Sequence, residues 1–429
     1  MPVFNANTSS ESGSLQDGKF DGVDLHALAQ RVSTPTYVYS ANAIRHRIKA
    51  LQDALHGVDA DICFALKANS NLAVLQLMAQ AGIGADIVSA GELRRSLRAG
   101  IAPERIVFSG VGKTEAEITE ALAAGIARFN IESRDELHAL QRLAVAQDVI
   151  AHAAVRVNPD VDAQTHAKIS TGKSENKFGV GIDEARRWFS DSKQLSHVCL
   201  DGLHVHIGSQ ILNLDPFRLA LQKVASFWRE LTLAGYSVAS IDVGGGLGVC
   251  YRADADRPPD AVAYVDVIRS ELAGFDGRIL LEPGRWLVAE AGVLLTRVIR
   301  IKHGEQRTFL VVDAAMNDLL RPSLYGAWHE IVPLCTELRA MTVYDIVGPV
   351  CESSDTFAEA RELPECRAGD LLLILATGAY GASMASTYNS RPLAAEVLVD
   401  SGRYAVVRRR QDFDELVCSE QAANEWRVA

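Results

Sequence analysis

The sequence predicts an α/β fold: a (β/α)8 TIM-type barrel over residues 37–285, followed by a mostly antiparallel β domain formed by residues 286–429 with residues 1–36. Three observations lead there. Short apolar runs alternate with stretches whose apolar residues recur at i, i+3, i+4, which is the signature of repeated strand–helix units and a parallel sheet. After the run Tyr37–Tyr39, eight more such strands follow, and eight strands in about 250 residues is the size of a closed barrel. Beyond residue 285 the helical spacing gives way to β-rich runs separated by turn residues. An open doubly wound sheet is the alternative to the closed barrel.

The barrel strands are expected, in order, at Ile62–Ala65, Ala85–Val88, Arg105–Phe108, Ala127–Ile131, Ala153–Val157, Leu203–Ile207, Ser240–Val243 and Ile279–Leu281. Between them, NLAVLQLMAQAG, GELRRSLRAG and SRDELHALQRLAVAQ read as amphipathic helices, the first two closed by glycine. In the second domain VLLTRVIRI, TFLVVD, LLLIL, EVLVD and YAVVRRR read as strands. The polar stretch at the start lacks the apolar core of a signal peptide, and its first fifteen or so residues are expected to form a loose arm.

Composition narrows the function. The 429 residues carry 43 Lys+Arg against 54 Asp+Glu, a net charge of −11. That balance argues against nucleic acid or an anionic membrane as the main partner. With 48% hydrophobic and 23% charged residues the chain has the composition of a soluble enzyme. The seven cysteines are odd in number and include no CxxC pair. Neither a disulfide framework nor a zinc site is expected, and free thiols suit a reducing cytoplasm. No apolar run reaches the roughly 18 residues of a membrane-crossing helix.

A barrel enzyme builds its site where strands end and loops begin, and chemistry-bearing residues cluster there. Lys67 follows the strand CFAL; a partly buried lysine there is expected to have a depressed pKa and to form a Schiff base with an aldehyde. Arg156 sits in VRVNP, either near a ligand or as a bridge between strands. His204 and His206 stand in LHVHIGSQ; His206 is either a satisfied core histidine or a flat ring for stacking. Gly244, Gly245, Gly246 and Gly248 follow a strand. Such a run either makes a tight turn or offers backbone amides to an anion. Glu282, in EPGR, needs a partner in a barrel mouth: a salt bridge to Arg285 or Arg156, or a heterocyclic nitrogen. Lysine for an imine, amides for a phosphate, an imidazole for a ring face and a carboxylate for a ring nitrogen together suit pyridoxal 5'-phosphate.

The motifs FALKAN, HIGSQ, GGGLG, EPGR and GPVCESSD occur in this order, and over roughly residues 20–420 the chain resembles the fold-type III pyridoxal-phosphate decarboxylases. Within them it resembles the branch that acts on meso-2,6-diaminopimelate. The resemblance implies an alanine-racemase-like barrel followed by a β domain. It implies that Lys67 holds the cofactor and that His206 stacks on its ring. It places Ser209, Gly245, Gly246 and the amides of Gly284 and Arg285 on the phosphate, and Glu282 on the pyridine nitrogen. Tyr380, in ATGAYGASM, is implied to reach both phosphate and substrate. Arg285, Arg321 and Tyr325 (the last two in LLRPSLYGA) are implied to grip the substrate. Cys351, as proton donor, and Glu352 are implied to come from the second subunit of a homodimer with shared active sites. KISTGKSENKFG is implied to be a lid over the substrate. Rival readings are a decarboxylase of the same fold acting on a D-amino acid or a carboxylated polyamine, a racemase, and a non-catalytic carrier of the cofactor. A glutamate rather than an arginine at the ring nitrogen argues against the racemase.

Overall fold

The structure, a computed structural model, describes residues 15–163, 171–172, 176–334, 337–423 and 426. Most of the expected N-terminal arm lies outside these, as do residues 168–170 and 173–175 of the expected lid. Among the described residues no helix is long and apolar enough to cross a membrane.

Eight parallel strands close into a barrel: Ala60–Ala65, Gly84–Ile87, Ile106–Phe108, Arg128–Ile131, Ala151–Arg156, Val198–His204, Ser240–Asp242 and Arg278–Leu281, the last pairing with the first. Helices cover the outside. Leu72–Gln80, Ala90–Ala99 and Arg134–Gln147 fall within a residue or two of the expected segments. Each starts at a side chain that caps free amides, Asn71, Ser89 and Ser133 respectively. The helix Ala90–Ala99 ends at Gly100 in the left-handed conformation, φ 90°. Phe64, Phe108, Phe129, Ile131 and Leu203, all buried, cluster with apolar residues of the covering helices, while Cys63, Val107 and Leu280 form a separate small cluster on the opposite face of the strands.

One strand lies in a different place from that expected. Tyr37–Tyr39 is not the start of the barrel. The strand Thr36–Ser40 pairs antiparallel with Gly292–His303 and parallel with Ala395–Asp400, in the middle of the second sheet. An apolar β-branched and aromatic run looks the same in either sheet, and only its partners distinguish them. Ser40 then caps the helix Ala41–Ala54, which leads into the barrel. The sixth barrel strand also begins earlier than expected and ends at His204, so His206 lies in the loop beyond it. Asp201 and Gly202 interrupt the apolar pattern there; Asp201 is buried because Arg128 holds it at 2.7 Å.

Among the described residues the second sheet has nine strands and is mostly antiparallel. Three of them, Ile331–Pro333, Met341–Val347 and Thr356–Pro364, were not expected. The last two lie at an edge of the sheet and carry exposed or charged residues that mask the β pattern.

Candidate active site

The C-terminal ends of the barrel strands and two segments of the β domain enclose a cavity of about 410 Å³. Its lining includes Lys67, His206, Ser209, Gly246, Glu282, Gly284, Arg285, Arg321, Tyr325 and Tyr380. Lys67 stands on a short turn, Leu66–Ala68, just past its strand. The Tyr380 amide donates to the Ala68 carbonyl at 2.8 Å, and the Ser383 hydroxyl donates to the Lys67 carbonyl at 3.0 Å. The β domain therefore fixes the backbone that carries the lysine.

Lys67 Nζ donates to Asp86 Oδ2 at 3.1 Å, and Asp86 is buried on the next strand. The expected depressed lysine pKa is overturned. Desolvation pulls it down, but Asp86, with Tyr380 and Glu282, overrides that and raises the ammonium above the ordinary lysine value. Burial and Glu282 in turn push the Asp86 carboxyl up.

Glu282 is buried at the end of the last strand. Its Oε1 accepts from Ser109 Oγ at 3.2 Å and Asn130 Nδ2 at 3.1 Å, and its Oε2 lies 3.2 Å from His204 Nε2. Burial would raise its pKa, yet His204, Lys67 and His206 hold it below the usual carboxylate range. Glu282 is therefore an anion, and its ion-pair partner within the chain is His204, not Arg285 or Arg156, the partners that the salt-bridge reading offered. Arg156 instead pairs with Glu132 at 2.9 Å as a bridge between neighbouring strands, away from the cavity lining.

His206 is neutral: burial first, then Arg156 and Lys67, push its pKa well below the ordinary histidine value. Its Nδ1 accepts from the Gly245 amide at 3.1 Å. This corrects one expectation. Gly245 is not on the cavity lining, and its amide orients the imidazole rather than facing an anion. Gly246 is the member of the glycine run that reaches the cavity. It has φ +110°, and a Cβ there would stand 2.4 Å from the Gly208 carbonyl, so no other residue fits without moving backbone.

The other half of the cavity is cationic. Arg285 is buried, and its guanidinium donates to Ser209 Oγ at 3.1 and 3.3 Å and to the Tyr251 hydroxyl at 2.7 Å. It lies over the Tyr380 ring at 4.7 Å. Arg321, at the start of the helix Arg321–Tyr325, lies 4.1 Å over the Tyr251 ring, and its Nε is buried without a hydrogen-bond partner. Among the described residues neither guanidinium has a carboxylate partner: Arg285 is held by Ser209 and Tyr251, and Arg321 by His329. Two buried cations with no anion of their own make a site for an anionic ligand.

Cys351 and Glu352 are not part of this cavity within one chain. Both are exposed; the Cys351 amide donates to Asn389 Oδ1 at 3.2 Å, and the Tyr388 hydroxyl donates to Glu352.

Comparison with known proteins decides the family. The family described as pyridoxal-dependent decarboxylase, pyridoxal binding domain, matches residues 41–289. Diaminopimelate decarboxylase of Aquifex aeolicus is 46% identical over 404 residues, 94% of this chain and 96% of the relative. That of Pseudomonas aeruginosa is 49% identical over 93% of this chain and 96% of the relative. The chain belongs to the diaminopimelate decarboxylase family. The crystal structure of the Helicobacter pylori diaminopimelate decarboxylase complexed with L-lysine superposes with a TM-score of 0.89 at 44% identity, covering 92% of this chain and 98% of that one.

The donor set suits the cofactor of a diaminopimelate decarboxylase. An amino group, an anionic carboxylate, a neutral flat imidazole and a free glycine-loop edge face one cavity of ligand size. Sequence reading missed several members of the decarboxylase site. Tyr251, Asp256 and Trp328 line the cavity, and Asp86 and His329 stand behind Lys67 and Arg321. Asp86 carried a signal, since an aspartate in the middle of a buried barrel strand needs a cation. Tyr251, Trp328 and His329 carried none, because aromatic residues in loops are common packing residues.

Proposed function

We propose that the chain decarboxylates meso-2,6-diaminopimelate to L-lysine and carbon dioxide, a step of lysine biosynthesis, with pyridoxal 5'-phosphate bound at Lys67. One observation carries the choice of substrate: two buried arginines, without acid partners among the described residues, share a cavity with the lysine and the anionic glutamate. A substrate with a second carboxylate, remote from the reacting carbon, fits that pair. A plain diamine precursor would leave both cations unmatched.

When bound, the cofactor supplies the sink for the electron pair left by departing carbon dioxide. Glu282 as an anion would keep a proton on the ring nitrogen and strengthen that sink, and His204 keeps Glu282 ionised. His206, held in its neutral state and angle by Gly245, would cover one ring face. Ser209, Gly246 and the amides of Gly284 and Arg285 would hold the phosphate. Arg285, Arg321, Tyr325 and Tyr380 would hold the substrate, with Arg321 on the distal carboxylate. Lys67 would hold the cofactor, and as a free amine it pairs with Asp86. Cys351 and Glu352, exposed in the single chain, would enter the cavity of a second copy, where the thiol protonates the reacting carbon and Glu352 receives the distal ammonium. That requires a homodimer with shared sites.

Purified protein supplied with pyridoxal phosphate and meso-diaminopimelate is expected to form lysine and carbon dioxide in equal amounts. Cys351→Ala and Lys67→Ala are each expected to be nearly inactive. Mixed and refolded together they are expected to regain activity, since one site of a mixed dimer then has both native residues. Turnover of a D-amino acid or a carboxylated polyamine in place of diaminopimelate would refute the substrate. A mixture no more active than its parents would refute the shared site.

A further inference from the structure

We infer that His329 is a positioning residue for substrate specificity: it locks Arg321 as the receptor for the carboxylate at the non-reacting end of the substrate. The inference rests on the substrate proposed above and adds to it a residue outside the cavity lining.

His329 is fully buried between the helix Arg321–Tyr325 and the strand Ile331–Pro333. Its Nδ1 lies 2.7 Å from the Leu375 carbonyl, and its Nε2 lies 2.7 Å from Arg321 Nη1. The two contacts fix its state. A carbonyl only accepts, so Nδ1 carries the hydrogen. A guanidinium only donates, so Nε2 must accept. Only the neutral Nδ1–H tautomer satisfies both. Burial first and the Arg321 charge second push its pKa well below the ordinary histidine value, in agreement.

The consequence is mechanical. Leu375 follows the strand Leu371–Ile374, which pairs with both Gly292–His303 and Ile331–Pro333. His329 therefore ties Arg321 to the end of a strand that is paired on both sides. The Tyr251 ring, edge-on to His329 at 5.1 Å, covers the guanidinium face at 4.1 Å. Arg321 sits on a helix of five residues, too short to hold a long side chain by itself. The ring nitrogen holds Nη1 in place, while Arg321 itself lines the cavity and is open to a ligand from that side. Because the ring is uncharged, it orients the cation without cancelling it.

The test separates ligands by their distal carboxylate. Loss of one carboxyl from diaminopimelate leaves lysine with the amine and carboxylate of the other end; loss of that one too gives cadaverine. Dissociation constants of L-lysine and cadaverine are measured by calorimetry on the holoenzyme, for wild type, His329→Leu and His329→Gln, together with KM and kcat for diaminopimelate. His329→Leu is expected to weaken L-lysine and raise KM by roughly tenfold to a hundredfold, the loss of a hydrogen bond to a charged group. Cadaverine affinity and kcat are expected to stay unchanged. His329→Gln, whose amide can donate to Leu375 and accept from Arg321, is expected to recover most of the loss. Equal weakening of lysine and cadaverine, or no difference between the glutamine and leucine variants, would overturn the inference. A wild type that fails to turn over diaminopimelate but keeps the lysine-specific loss in His329→Leu would refute the proposed reaction and leave this role of His329 standing.

Discussion

Lys67→Ala is expected to leave the protein nearly inactive and to abolish the absorbance band of covalently held cofactor. The second loss is the more telling. Lys67 Nζ is the amine that opens onto the cavity beside Glu282 and His206, and Asp86 binds it at 3.1 Å. Asp86 makes a companion variant informative. With the ammonium held above its ordinary pKa, the apo lysine must shed a proton before it can attack an aldehyde carbon. Asp86→Asn removes the largest of the charges that raise it, so the lysine pKa falls. Cofactor loading followed by absorbance should accelerate in Asp86→Asn at neutral pH, with its pH midpoint moved down. If Asp86→Asn loads more slowly than wild type at every pH, Asp86 does not hold the proton on the lysine. If Lys67→Ala keeps the covalent band, another amine carries the cofactor.

What could be read in the sequence follows the range of the interactions involved. The barrel was legible because each strand and each helix carries its own period, and because caps such as Asn71, Ser89 and Ser133 are local. The residues at strand ends, Lys67, His206, Glu282 and the glycine run, were legible because the fold puts such positions at one mouth. Assignments that depend on partners were not. Tyr37–Tyr39 reads as a strand in any sheet, and only pairing to Gly292–Leu295 places it in the second one. The charge state of Lys67 depends on Asp86, nineteen positions away, and that of Glu282 on His204, seventy-eight away. The Gly245 amide could not be assigned from spacing, since its acceptor, His206 Nδ1, belongs to another strand end. Tyr251 and His329 organise the two arginines from loops, where no periodic pattern marks a residue.

Arg321→Leu is expected to reduce kcat/KM for diaminopimelate by about 2–5 kcal/mol of binding, the range for removing one member of a desolvated charge pair. At 1.4 kcal/mol per decade that is roughly 30-fold to several thousandfold. The loss should appear mainly in KM, because the distal carboxylate keeps its charge throughout the reaction and is bound alike before and at the transition state. Arg285 does not take over. Its guanidinium is held by Ser209 and Tyr251, and it lies against Tyr380. The double variant Arg321→Leu/His329→Leu decides how the two residues act. If His329 works through Arg321, the second change costs nothing further once the arginine is gone, and the double variant matches Arg321→Leu. Additive losses would mean that His329 supports the site by another route. A KM unchanged in Arg321→Leu, in protein with wild-type thermal stability, would place the distal carboxylate elsewhere in the cavity.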